Sequence, residues 1–166
     1  MRISVAIDGP AAAGKSTIAK KIASNLGYVY IDTGAMYRCC TWYCLEKGLN
    51  CEDEAACVAV IPEISIELRP DGKVFCNGTD VTRAIREPRI NANVSYIATY
   101  KDIRLAMVDL QRKMADNCSV IMDGRDIGTY VLPNAEVKIF QIASVEVRAQ
   151  RRYKENMEKC IACTYE

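Results

Sequence analysis

Two glycines, a lysine and a serine near the N-terminus have the spacing of a phosphate-binding loop. Residues 9–16 read GPAAAGKS and match the pattern G-x-x-x-x-G-K-[ST]. In such a loop the glycines let the backbone approach phosphate closely, the lysine reaches the β- and γ-phosphates, and the serine hydroxyl can hold Mg²⁺. The pattern therefore predicts binding of a nucleoside triphosphate together with Mg²⁺.

The residues on either side of this loop predict the elements that it requires. Residues 3–7 are rich in β-branched side chains, which is typical of a buried parallel strand. Apolar residues then recur at helical spacing as far as Leu26, and Gly27 follows where a helix commonly ends. The loop is thus expected at a helix N-terminus, where N–H groups and the helix dipole favour a phosphate. A chance turn rich in glycine and alanine is the alternative, and it leaves the flanking strand and helix unexplained.

A carboxylate at the end of another apolar strand is predicted to complete the metal site. Residues 119–122 are typical of a buried strand, and Asp123 follows them directly. A carboxylate in this position holds Mg²⁺ or its waters, so Asp123 and Ser16 are the predicted metal ligands, whereas a cap on the next loop is the alternative. The residues predicted to bind the triphosphate are Gly9, Pro10, Ala11, Ala12, Ala13, Gly14, Lys15, Ser16 and Thr17.

Charge and hydropathy exclude several classes of protein. The chain of 166 residues has 22 Lys and Arg against 21 Asp and Glu, so no strong field points to nucleic acid or an anionic membrane. No apolar run approaches the length of a membrane span. Because the first predicted strand begins close to Met1, we expect no signal peptide and a cytoplasmic location.

The nine cysteines are expected to be reduced thiols in such a compartment. Cys39, Cys40 and Cys44 lie among apolar residues on one predicted helix and are typical of small core residues. Residues Cys160–Cys163 have the spacing of half a zinc site, but no second pair follows and the chain has no histidine. A metal at this pair is therefore the less favoured interpretation, and any proton transfer must use other side chains.

The order of predicted elements indicates an α/β fold with a parallel sheet flanked by helices. Two further strands are predicted at residues 28–31 and 137–142, and Asp32 or Thr33 can cap a helix that begins near Ala35 and is closed by Gly48. Within residues 51–93 the pattern changes to short alternating segments and turns, which predicts a small inserted antiparallel sheet. Its strands are expected at residues 64–68, 74–76 and 79–81, and a helix over residues 101–115 leads back to the main sheet.

Two arginines near predicted strand ends suggest a second phosphate group. Arg38 lies about one helical turn after the second strand, and Arg125 comes shortly after Asp123. Either arginine alone would be typical of a surface charge. Two of them beside a triphosphate site favour a clamp on another phosphate.

The joint order and spacing of these segments resemble the bacterial cytidylate kinases. The resemblance rests on residues 7–10, the phosphate-binding loop, residues 31–38 and residues 123–129, and it runs along the whole chain. That family transfers the γ-phosphoryl group of ATP to CMP or dCMP, which implies the same reaction here, with ATP as co-substrate, small-molecule partners only and a monomer. Two alternatives remain open, a P-loop kinase for another small acceptor and a nucleotide-binding fragment with impaired catalysis.

The resemblance also implies roles for residues outside the loop. It assigns the acceptor phosphate to Thr33, Tyr37, Arg38 and Arg125, and the cytosine to Ser95, Arg104 and Asp126. Lys15, Arg148 and Arg152 are the residues it assigns to catalysis, and the last two are spaced to share one face of a lid helix. Cytosine offers an amine donor and a ring-nitrogen acceptor, so a carboxylate and an arginine suit it, whereas uracil reverses both polarities.

The same resemblance implies a single kinase domain of three parts. These are a core at 1–36 and 101–145, an acceptor-binding insertion at about 37–100, and a partial lid at about 146–166. Members of the family continue with the rest of the lid, a fifth strand and a final helix. We therefore expect the chain ending at Glu166 to lack that strand and helix, to be marginally stable and nearly inactive, and to retain affinity for ATP–Mg²⁺.

Overall fold

Residues 2–158 are described by a computed structural model, in which the chain divides into two units. Residues up to Tyr30 and from Cys118 onward form the first unit, and Ile31–Asn117 form the second. The elements are β1 (Ser4–Asp8), α1 (Lys15–Leu26), β2 (Val29–Asp32), α2 (Thr33–Glu46), α3 (Glu54–Ala59), β3 (Ile66–Leu68), β4 (Val74–Cys76), β5 (Thr79–Asp80), α4 (Pro88–Thr99), α5 (Lys101–Ala115), β6 (Val120–Gly124), β7 (Val137–Phe140) and α6 (Val145–Glu158). None of the described helices is both long enough and apolar enough to cross a membrane.

The main sheet is built around β1, which pairs in parallel with β6 on one side and with β7 on the other. The strand order is β2–β6–β1–β7, with the boundary between the units falling inside β2. A buried apolar cluster joins α1 to this sheet and consists of Val5, Ile7, Ala19, Ala23 and Ile121. The predicted α/β fold with a parallel sheet and flanking helices is confirmed.

The helix after the phosphate-binding loop begins and ends as its sequence predicts. It starts at Lys15, directly after Gly14, and ends at Leu26. Gly27 then takes a left-handed conformation with φ of 65°, and its N–H donates to the carbonyl of Ala23. The left-handed conformation costs about 1–2 kcal/mol for alanine and almost nothing for glycine, so Gly27 is suited to end the helix.

The second unit contains the small antiparallel sheet, whose strand order is β3–β4–β5. Asp32 caps α2, because its Oδ1 accepts a hydrogen bond from Ala35 N at 2.8 Å. The inserted sheet, α2 and α5 are confirmed. Helices α3 and α4 were not predicted, and α4 begins at Pro88, which suits the first turn of a helix as well as it suits a loop.

The predicted core role of Cys39, Cys40 and Cys44 is confirmed, because all three are fully buried on α2. Burial raises the pKa of the Cys40 thiol to about 12, so it stays protonated at neutral pH. The thiols of Cys39 and Cys76 hydrogen-bond to each other, and this contact raises the pKa of Cys39. Residues Cys160–Cys163, with the candidate half zinc site, lie outside the described residues.

One buried polar side chain in the second unit has no compensating contact. Gln111 of α5 is 1% exposed, and neither its Oε1 nor its Nε2 has a hydrogen-bond partner among the described residues. In mutational data, a buried amide without hydrogen-bond partners lowers the free energy of unfolding by about 1–3 kcal/mol. Gln111 therefore lowers the stability of the unit that contains it.

Replacing this amide by an apolar group of the same length is expected to stabilise the protein. Gln111→Met should raise the free energy of unfolding by about 1–3 kcal/mol, because it removes two unpaired polar atoms and keeps the volume. Thermal unfolding would then shift upward by about 2–4 °C per kcal/mol. The exposed Gln150→Met serves as the control and should unfold at the unchanged temperature. A lower midpoint for Gln111→Met would contradict the interpretation.

Candidate phosphate-binding site

The loop between β1 and α1 has three residues at positive φ, a conformation that glycine adopts freely and alanine does not. Gly9 and Gly14 have φ of 144° and 96°, and Ala12, which has a side chain, has φ of 59°. A Cβ atom built on Gly9 would lie 2.1 Å from the backbone oxygen of Gln141, which no real contact allows. Only glycine therefore fits at position 9, and the loop must be held in place by contacts from outside it.

Lys15 points its amine back over the loop. Its Nζ donates to the backbone oxygen of Pro10 at 2.9 Å, which places the charge next to the loop that α1 follows. A hydrogen bond to a neutral carbonyl is weaker than one to a phosphate oxygen. The amine can therefore exchange this carbonyl for a stronger partner when an anion enters the loop.

A hydroxyl and a carboxylate meet beside the loop, as the sequence predicts for a metal site. Ser16 Oγ donates to Asp123 Oδ2 at 2.6 Å, and Tyr30 Oη donates to Asp123 Oδ1 at 3.0 Å. Asp123 is only 5% exposed. Oxygen donors of this kind are what Mg²⁺ takes from proteins, usually one or two carboxylates with the rest from phosphates and water. The residues present therefore fit Mg²⁺, although no group of three or more acidic, cysteine or histidine ligands occurs within residues 2–158.

Asp8 at the end of β1 belongs to the segment 7–10 that carries the resemblance, and it has a structural role. Its carboxylate is buried and accepts hydrogen bonds from Ile127 N at 2.7 Å and Gly128 N at 2.8 Å. These bonds anchor the segment after β6 that carries Arg125 and Asp126. Arg125 is exposed there and Asp126 is partly buried.

In the second unit, three of the predicted acceptor-phosphate residues lie on the first turns of α2. Thr33 is buried, Tyr37 is partly buried, and Arg38 is held by two contacts. The guanidinium Nη1 of Arg38 donates to Asn91 Oδ1 at 2.5 Å and to the backbone oxygen of Ile85 at 3.3 Å. Arg38 is therefore oriented by residues that the motifs do not include.

The N-terminus of α2 is held by a further residue that sequence reasoning missed. Arg86 Nη2 donates to Asp32 Oδ2 at 2.8 Å, while Asp32 Oδ1 caps the helix. Arg86 and Asn91 carried no motif signal, because surface arginines and asparagines are common in segments of this kind. The base-contacting candidates of this unit are Ser95, exposed on α4, and Arg104, partly buried on α5.

Three arginines of α6 differ in what they contact. Arg151, which the sequence did not assign to catalysis, donates through Nη1 to the backbone oxygens of Ala13 at 2.9 Å and Ala12 at 3.3 Å. Arg152 pairs with Glu155 at 3.0 Å. The Nε of Arg148 is buried without a partner among the described residues. Only Arg151 of the three has a described contact with the loop, and the catalytic roles of Arg148 and Arg152 stay predictions.

Comparison with known proteins identifies relatives along almost the whole chain. A family model described as Cytidylate kinase matches residues 5–166. The cytidylate kinase of Oceanobacillus iheyensis is 54% identical over 163 residues, covering 96% of this chain and 71% of that protein. That of Bacillus subtilis is 52% identical over 168 residues, covering 99% and 75%. That of Lactobacillus gasseri is 58% identical over 160 residues, covering 95% and 70%.

The close approach at Gly9 makes a specific prediction. Gly9→Ala combines an unfavourable φ with a backbone clash, so it should lower the free energy of unfolding by about 2–5 kcal/mol and weaken triphosphate binding more than tenfold. Gly27→Ala is the control, because Gly27 also has positive φ but has nothing within 4 Å of its added Cβ. It should cost about 1–2 kcal/mol and leave binding unchanged. Equal behaviour of the two variants in denaturant unfolding and triphosphate titration would contradict the role of Gly9.

Proposed function

The chain belongs to the cytidylate kinase family, and from this we propose that it transfers the γ-phosphoryl group of ATP to CMP or dCMP, giving ADP and CDP or dCDP. The observation that carries the proposal is the loop of the first unit, which joins the end of β1 to the N-terminus of α1 with Ser16 and Asp123 in contact. Helix N-termini of this kind bind phosphate through their N–H groups and the helix dipole. CMP, dCMP and ATP are the proposed partners, and the monomeric state and cytoplasmic location stay predictions.

The donor nucleotide is bound by groups of the first unit. Backbone N–H groups of residues 9–17, apart from Pro10, would donate to the β-phosphate, and Lys15 would leave the Pro10 oxygen for the β- and γ-phosphates. Ser16 and Asp123 are the residues that would hold Mg²⁺, and Tyr30 orients the Asp123 carboxylate through its hydroxyl. A metal ion held there would neutralise negative charge on the phosphates.

The transfer step needs no general base from the protein. An oxygen of the acceptor phosphate attacks the γ-phosphorus, a new P–O bond forms, and the bond to the β-phosphate oxygen breaks to release ADP. That acceptor oxygen is largely ionised at neutral pH, because the second pKa of a phosphate monoester is about 6. The absence of histidine is therefore consistent with the reaction. Catalysis depends on positioning and on stabilisation of the transferred charge.

The acceptor phosphate is proposed to be bound by cations and hydroxyls. These are Arg38, Thr33 and Tyr37 of the second unit and Arg125 of the first. Asn91 and the Ile85 carbonyl support this role for Arg38, since they hold the guanidinium in one orientation. Planar guanidinium groups suit phosphate because two N–H groups can bind two oxygens. Arg148 and Arg152 of α6 are proposed to stabilise charge in the transition state.

The cytosine is proposed to be recognised by Ser95, Arg104 and Asp126. Asp126 accepts from the exocyclic amine, and Arg104 donates to the ring nitrogen N3. Uracil presents an oxygen in place of the amine and an N–H in place of N3, so both partners would face a group of the same kind. A site built for one hydrogen-bond pattern discriminates by up to about 10⁴–10⁵ against the analogue that lacks it.

Loss of the loop lysine is expected to remove most of the phosphoryl transfer. In a preparation that transfers phosphate to CMP, Lys15→Ala should lower kcat by about 10²–10³, since the amine stabilises charge that develops on the phosphates. Its hydrogen bond to the Pro10 oxygen is a contact with a neutral carbonyl on the same loop, so thermal unfolding should change little. The exposed Lys21→Ala on the same helix is the control and should keep wild-type kinetics. A folded Lys15→Ala protein with a near-normal kcat would contradict the assignment of the loop.

Exchange of the base-reading carboxylate is expected to narrow the preference for cytosine. Asp126→Asn offers a donor as well as an acceptor, so kcat/KM should fall for CMP and fall less, or rise, for UMP. Measurement of both acceptors at saturating ATP gives the ratio directly. The control is Asp109→Asn, an exposed position on α5. If kcat/KM falls by the same factor for CMP and UMP, Asp126 does not contact the base. For the wild-type protein, another acceptor that reacts faster than CMP would overturn the proposed substrate.

A further inference from the structure

We propose that Gln141 is a positioning residue for the phosphate-binding loop, holding the peptide group between Ala13 and Gly14 so that its N–H faces the triphosphate. The inference rests on the proposed function, because it concerns the same loop. Gln141 follows β7 directly, and its side-chain Nε2 donates to the backbone oxygen of Ala13 at 2.7 Å. No motif includes this glutamine.

The backbone of Gln141 is itself fixed against the strand that leads into the loop. Its N–H donates to the Asp8 oxygen at 2.7 Å and so continues the pairing of β7 with β1 by one residue. Its carbonyl lies so close to Gly9 that a Cβ there would be 2.1 Å away. One residue therefore contacts the loop at its first glycine, through the backbone, and at its far end, through the side chain.

The geometry of the peptide bond explains what this contact does. In a trans peptide the carbonyl and the next N–H lie in one plane and point to opposite sides. Because Gln141 binds the oxygen of Ala13, the N–H of Gly14 is directed to the other side of the loop. In phosphate-binding loops that side faces the anion. The amide of Gln141 thus sets the direction of a donor that does not touch it.

A neutral anchor suits this position better than the charged side chain beside it. Arg151 also donates to the Ala13 oxygen, at 2.9 Å, but it is exposed on α6 and carries a charge that phosphates attract. Gln141 is partly buried and has no charge to draw it from the carbonyl. Its hydrogen bond therefore persists when an anion enters the loop.

External anchoring affects affinity because the loop contains several residues at positive φ. Ala12 at φ of 59° is strained by about 1–2 kcal/mol, and two glycines add entropy to the unanchored chain. A loop that samples other conformations binds its ligand more weakly, because only the fraction of molecules with the loop in the binding conformation can bind. Loss of the anchor should therefore weaken binding of the triphosphate and leave the acceptor site unaffected.

The test replaces the amide by a side chain of equal length without a donor. In Gln141→Met, the Kd and KM for ATP–Mg²⁺ should rise about three- to tenfold, while the KM for CMP stays within twofold. Gln141→Asn keeps an amide that is too short to reach Ala13, and it should behave like Gln141→Met. The matched control is Gln150→Met, exposed on α6, which should leave all constants unchanged.

Hydrogen exchange of residues 9–16 provides a measurement without nucleotide. In Gln141→Met we expect faster exchange there than in the wild-type protein, with unchanged exchange in the second unit. The inference would be overturned if hydrogen exchange of the loop or the affinity for ATP were unchanged. It would also be overturned if the KM values for ATP and CMP rose equally while the unfolding midpoint fell. Failure of the proposed function would instead show in the wild-type protein, as absent transfer to CMP, and the exchange experiment would still decide the role of Gln141.

Discussion

The shape of the phosphate-binding loop, with three residues at positive φ, is the constraint on which the rest of the first unit depends. The phosphate-binding loop needs Gly9 and Gly14 at positive φ and places Ala12 there as well. In loops of this kind the N–H groups face the anion only while that shape is kept, and β1 and α1 adjoin the loop at its two ends. The central place of β1 between two parallel neighbours makes those ends rigid. Gln141, at the end of β7, then contacts the loop from the neighbouring strand.

Aspartates at three strand ends show how partners decide what a carboxylate can do. Asp8 accepts hydrogen bonds from two backbone N–H groups, which cannot reorient without a change in the backbone conformation. This carboxylate therefore has a structural role. Asp32 caps α2 and pairs with Arg86, which fixes the helix that carries Arg38. Asp123 accepts hydrogen bonds from the hydroxyls of Ser16 and Tyr30, and hydroxyls rotate freely. These two contacts can be exchanged for a metal at little cost, which supports the proposed role of Asp123.

The sequence predicted most elements because their ends carry local signals. Gly27 ends α1, Asp32 caps α2, and period-two alternation with turn residues marks the small sheet. It did not predict α4, whose first residue is a proline, or the roles of Gln141, Arg86 and Asn91. Those three act through contacts 53 to 128 residues away in the chain, with ordinary side chains at positions without a motif. Long-range pairing of this kind leaves no local pattern, so only the three-dimensional structure could identify it.

The proposed chemistry also explains why a chain without histidine can support a kinase site. Transfer between phosphates starts from an oxygen that is already ionised, so the site must manage negative charge and does not need to remove a proton. Its side chains suit that task, since Lys15, Arg38 and Arg151 each donate to neutral oxygen atoms in the structure. Such contacts hold a cation in place but bind it less strongly than a phosphate does. Each cation is therefore positioned before the anions arrive and can exchange a weak partner for a stronger one, which favours binding without large rearrangement of the backbone.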